Sequence, residues 1–199
     1  SVAWSGSPDR DEAGSPNVVG AVALAAAIKA LNKIGMSNIA DHEAELTAYA
    51  LEHLLPIDGL QIYGDTDPRS TAGRLGVIPF NLKDKSHFLV AAILGAEYGI
   101  GMRNGCFCAH PYLLHLMGLS QEESNRVREE ILANDRHEMP GMIRISFGMY
   151  NTAEEVEAAV QALANIARGK YYGRYEQDPK SGEFQAIGWR PDLARYFKL

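Results

Sequence analysis

Apolar positions in this chain recur with the spacing of a helix in some segments and with the spacing of a strand in others. Asn17 to Ile34 is Ala-rich and almost wholly apolar, which predicts a helix closed by Gly35 at a left-handed cap position. Ser37 or Asn38 can cap a second helix to about Leu55, with Ile39, Leu46, Ala50 and Leu54 on one face. Pro56 and Gly59 break the pattern. "LQIYG" (60–64) and "RLGVIPFNL" (74–82) then read as strands around a loop rich in Asp, Pro and Gly. Ser86 to Tyr98 predicts a helix and "GIGMR" (99–103) a third strand. A short helix fits Pro111 to Met117. Ser120 with Glu123 forms a capping-box pattern that opens a helix to about Asn134. "GMIRISFGMY" (141–150) reads as a fourth strand. Thr152 with Glu155 repeats the capping pattern ahead of Val156, Val160, Leu163 and Ile166, an apolar stripe at helical spacing. From Lys170 the chain turns aromatic and Gly-rich, and an irregular tail is expected over 170–199. This order predicts an α+β layer, with helices packed on a mostly antiparallel or mixed sheet.

Composition narrows the classes. The 199 residues are 46% hydrophobic and 22% charged, enough for one ordinary domain with or without an extension. The net charge of -6 and the lack of a basic run argue against nucleic acid as a partner. The longest apolar run, Val18 to Ile28, is too short to span a bilayer, so no membrane partner is expected. The two cysteines, Cys106 and Cys108, are too close in sequence for a relaxed disulfide with each other. That suits a reducing, cytoplasmic setting. The start without Met, in what reads as the end of a strand and a loop, suggests a piece of a longer protein.

The chemistry-bearing stretch is "GMRNGCFCAHP" (101–111). On an extended chain Cys106, Cys108 and His110 would point to one side as a metal strip, although structural zinc wants a fourth ligand. A reactive thiol is the second reading, since Arg103 and His110 flank Cys108 with cationic groups. Plain packing of small apolar side chains is the third. Arg144, alone among apolar strand residues, is either an edge-strand residue facing solvent or a fork for a carboxylate. Gly14, Ser15, Pro16 and Asn17 open the first helix. They offer either an N-cap or an anion-binding spot made of backbone donors and a hydroxyl.

Together, "EAGSPNVVGAVALAAAI", "GMSNIADHEAELTAYALEHL", "IYG…GRLGVIPFNL", "GIGMRNGCFCAHP" and "RISFGMYNTAEEVEAAV" resemble class V aminotransferases. Within that group they are most similar to the cysteine desulfurase and selenocysteine lyase branch, over about residues 9 to 168. The resemblance implies a homodimeric enzyme of the type I fold that uses pyridoxal 5'-phosphate on an amino-acid substrate. This chain would be its C-terminal part. Residues 1–35 would be a cofactor-loop remnant and connecting helix of the large domain, 36–169 the small domain, and 170–199 the tail. By the same resemblance Cys108 takes the place of the sulfur-accepting cysteine. Arg103 and Arg144 take the places of substrate-binding arginines, and Gly14 and Ser15 those of the cofactor-phosphate loop. The family's Schiff-base lysine lies upstream of that loop, where no lysine is found here, so the chain alone is expected to be inactive. An aminotransferase or epimerase of the same fold stays open, because 36 positions separate Cys108 from Arg144. So does a binding domain without catalysis.

Overall fold

The computed structural model describes residues 3–12, 14–71 and 73–188. The chain divides into two compact units, the first ending at Asp41 and the second beginning at His42. The first unit holds a 3-10 turn at Asp9–Asp11 and helix α1 (Val18–Ile34), which has no buried residue. Asn17 caps α1 by accepting the Gly20 N–H at 2.9 Å. Gly35 breaks the helix with a φ of 95°, and α2 (Met36–Leu54) starts at once.

The second unit is built on an antiparallel sheet with strand order β1-β2-β4-β3, where β1 is Leu60–Ile62, β2 Val77–Leu82, β3 Arg103–Gly105 and β4 Met142–Ser146. Alternation along β2 and β4 gives the sheet two unlike faces. Ile78, Phe80, Leu82, Ile143 and Ile145 are buried on one face. They share a core with α2, α3 (His87–Tyr98) and α6 (Ala153–Ala167) through Leu51, Ile93 and Leu163. The other face carries Gln61, Asn81, Pro79, Arg144 and Arg103, which the register brings side by side. A separate cluster of Cys106, Leu113 and Met142 lies at one end of that face, where α4 (His110–Leu116) and α5 (Gln121–Leu132) are inserted between β3 and β4. Period two puts every second residue of a strand on the same side, so one sheet serves as core floor and polar platform at once.

Local signals start α3, α5 and α6 where expected, whereas α2 begins at Met36, so Ser37 and Asn38 lie inside it rather than capping it. Both capping boxes form: Ser120 and Thr152 accept N–H bonds from Glu123 and Glu155, whose carboxylates reach back. On α6 Val156, Leu163 and Ile166 are buried and Val160 is partly buried against the same core.

Two further expectations are corrected. The third strand is not at 99–103 but at Arg103–Gly105. The Ile100 N–H bonds back to the Leu94 carbonyl at 3.0 Å, while Ile100 and Met102 pack on the core, so that stretch has no ladder to join. The tail is not irregular throughout: β5 (Tyr175–Gln177) and β6 (Phe184–Ala186) pair as an antiparallel hairpin. Its turn is set by Asp178, whose carboxylate accepts the Lys180 and Ser181 N–H groups at 3.2 Å each. Residues 189–199 of the expected tail lie outside the described residues. Among the described residues no single helix is long and apolar enough to cross a membrane.

Candidate functional site

Register builds the site. In the β3–β4 pairing Arg103 stands directly opposite Arg144, and on the other side Arg144 stands opposite Pro79. Cross-strand partners project to the same face, so two guanidinium groups share one patch of the polar platform. β4 is an inner strand, which removes the reading of Arg144 as an edge-strand residue. Arg103 is on the edge strand and exposed, and Arg144 is half-buried. Among the described residues neither arginine has a carboxylate partner. Two like charges on facing positions repel each other, and an anion set between them would offset that cost.

Arg144 is held in place by two neighbours that sequence reasoning missed. Its Nε–H donates to Ser146 Oγ at 3.0 Å. Its guanidinium carbon lies 5.1 Å from the centroid of the Phe107 ring, a cation–π distance. Ser146 was accessible from strand alternation, being two positions along the same face. Phe107 carried no signal, because its contact depends on a turn.

That turn corrects the metal-strip geometry. Phe107 and Cys108 both have positive φ, 53° and 59°, and the Ala109 N–H closes onto the Cys106 carbonyl at 2.8 Å. Two successive left-handed residues inside an i to i+3 bond mark a primed turn, a conformation that favours Gly and Asn. The chain is therefore not extended from 106 to 110, and the two cysteines diverge. Cys106 is buried, its thiol donates to the Pro140 carbonyl at 3.2 Å, and burial pushes its pKa up. Cys108 is exposed. A phenylalanine and a cysteine in this conformation each cost on the order of 1–2 kcal/mol, a strain that surrounding contacts must hold. The Phe107–Arg144 contact and the Cys106–Pro140 bond are two of them. Among the described residues no three His, Cys, Asp or Glu side chains come together to hold a metal ion.

Gly14 and Ser15 belong to the first unit. Both are exposed, Gly14 has a φ of 89°, and Asn17, not Ser15, caps α1. No carboxylate lies in the first turn of this 17-residue helix, although Asp9, Asp11 and Glu12 precede the Gly14–Ser15 segment in sequence.

The class-V aminotransferase model matches residues 1–159. A cysteine desulfurase of Cronobacter sakazakii is 38% identical over 165 residues, covering 83% of this chain and 34% of that protein. A probable cysteine desulfurase of Staphylococcus epidermidis is 39% identical over 160 residues, 80% of this chain and 32% of its own length. Among solved structures, the apo cysteine desulfurase of Thermococcus onnurineus aligns with a TM-score of 0.63 and 31% identity, over 81% of this chain and 34% of the other. The chain thus spans about a third of the length of the relatives it matches. Its antiparallel sheet, its helices and the order of its motifs agree with that match: the chain belongs to the class-V aminotransferase family.

Proposed function

We propose that this chain is the small-domain part of a pyridoxal phosphate enzyme that acts on an amino acid, of the cysteine desulfurase or selenocysteine lyase type. One observation carries the reading: β3–β4 pairing sets Arg103 beside Arg144 on the open face, and the Phe107–Cys108 turn stacks against Arg144. The 36-residue separation in sequence is bridged by that pairing, and α4 and α5 leave it as an insertion.

In this reading the guanidinium fork of Arg144 binds the substrate α-carboxylate, fixed by Ser146 and Phe107. Arg103 adds a second cation from the edge strand. The exposed Ser15, with its hydroxyl, and the backbone of Gly14, ahead of α1, would hold the phosphate of the cofactor. Bound pyridoxal phosphate supplies an electron sink for the substrate's carbon skeleton. Cys108, exposed on its turn, attacks the substrate sulfur as the thiolate. A sulfur–sulfur bond forms and the substrate carbon–sulfur bond breaks. The electron pair and a proton stay with the carbon skeleton, which leaves as alanine, and Cys108 keeps the sulfur as a persulfide. The Schiff-base lysine would come from a large domain outside these 199 residues, with the complete enzyme a homodimer. The chain alone is expected to be inactive.

The test is alanine release from L-cysteine by the complete enzyme. Cys108→Ala should abolish it without loss of cofactor absorbance, and Arg144→Lys should raise KM more than it lowers kcat. Unchanged turnover of another amino acid by Cys108→Ala would replace the desulfurase reading with an aminotransferase or epimerase. A complete protein that takes up no cofactor would leave a binding domain.

A further inference from the structure

The family match ends at residue 159, and the β5–β6 hairpin lies beyond it. The polar contacts of the hairpin and of the residues leading into it, from Tyr172, fall on two segments far apart in sequence. One is the last turn of α3, where the Glu97 carboxylate accepts the Tyr172 N–H at 3.0 Å, the Gly173 N–H at 2.8 Å and the Tyr175 hydroxyl at 2.9 Å. Burial pushes this carboxyl up, but the three donors together outweigh it and hold it below the usual range, so the anchor is charged. The other segment is the linker from α5 to β4. The Arg136 N–H donates to the Pro179 carbonyl at 2.8 Å, Arg136 Nη1 to the Lys180 carbonyl at 2.6 Å, and Gln177 Nε2 to the His137 carbonyl at 3.1 Å.

The same linker is held at its far end by His87 and Cys106. The Met139 carbonyl accepts from His87 Nε2 at 3.0 Å, and the Pro140 carbonyl accepts the Cys106 thiol at 3.2 Å. Cys106 is the first residue of the turn that carries Cys108. A continuous run of contacts therefore joins Glu97, the hairpin, the 136–140 linker, Cys106 and the strained turn. That turn needs such support, because its two left-handed residues are not glycines.

We infer that the β5–β6 hairpin is a strap that positions the cysteine turn, anchored at Glu97 and acting through the 136–140 linker on Cys106. Its effect on turnover rests on the reading of Cys108 as sulfur acceptor, but the run of contacts ends on Cys106 and can be tested without that reading. Glu97 and Gln177 are positioning residues, since neither touches the reacting atoms.

The test uses the 199-residue chain and two variants, Glu97→Gln and Gln177→Ala. Hydrogen exchange at the Tyr172 and Gly173 amides reports the strap, and alkylation of Cys106 by iodoacetamide, followed by mass spectrometry, reports the turn. Glu97→Gln should speed both by about tenfold, the change in opening expected for losing a hydrogen bond to a charged group. Gln177→Ala should speed Cys106 alkylation with a smaller effect on the Gly173 amide. Exchange at Ile143 and Ile145 in the sheet core should stay as in the parent chain, which separates positioning from general loosening. Faster exchange in the strap with Cys106 still protected in both variants would overturn the inference, as would unchanged exchange in Glu97→Gln. If Glu97→Gln also loosens the sheet, Gln177→Ala decides alone. Failure of Cys108 to accept sulfur in the complete enzyme would sink the proposed function and leave this result untouched.

Discussion

His87 should make the second unit lose stability in mild acid. It opens α3, is 6% exposed, and its Nε2 donates to the Met139 carbonyl at 3.0 Å. Its Nδ1 is buried with no partner among the described residues. Such a site takes the neutral ring. Burial pushes the imidazole pKa below its ordinary value, against a smaller opposing pull from the Met139 carbonyl. The positive end of α3 adds to the cost of a cation there. With the folded pKa depressed, the unfolded chain binds the extra proton first. The stabilising contribution is therefore fully present above the unfolded value of about 6.5 and is lost as pH falls from there toward the folded value. While only the unfolded state takes up this proton, stability can fall by at most about 1.4 kcal/mol per pH unit. Urea midpoints taken at steps from about pH 7.5 to 5 should show that loss in the parent chain. His87→Gln keeps a donor for Met139 but does not titrate, so its profile should be flatter over that range. The low carboxyl of Glu97 contributes stability that is lost only as pH falls below about 4.5, beneath this window, and does so in both proteins. Parallel profiles in the two would refute the argument.

Gly141→Ala should destabilise by about 1–3 kcal/mol, because a Cβ there would lie 2.6 and 2.8 Å from the His87 Cε1 and Cδ2 atoms in a buried site. Thermal unfolding measures it, and a displaced ring should also weaken the pH dependence just described. Neighbouring faces of the sheet should respond unequally. Phe80→Ala, on the core face, should cost about 3–5 kcal/mol in a denaturant titration. Gln61→Ala, exposed on the polar face, should stay within about 0.5 kcal/mol.

What could be read from the chain was local. The capping boxes at Ser120 and Thr152 are satisfied within a few residues, so side-chain identity and spacing sufficed. The alternation of Ile78, Phe80 and Leu82, all buried, is likewise a pattern within one strand. The motif order suggested the family before any contact was known, since homologous spacing survives in one dimension. The third strand was misplaced because Ile100 spends its N–H on the preceding helix, a choice the apolar pattern does not reveal. The hairpin at 175–186 was missed although Asp178 and Gly182 were visible as turn residues, because strands of three residues carry too little periodicity. The candidate site itself needed tertiary structure. Pairing across an insertion of two helices set Arg103 against Arg144, and a primed turn split two cysteines that an extended chain would have aligned. Composition and local propensity determined which helices and core strands this protein forms. Register and turn handedness decided which charges meet and which thiol faces outward, because these depend on bonds between residues distant in sequence.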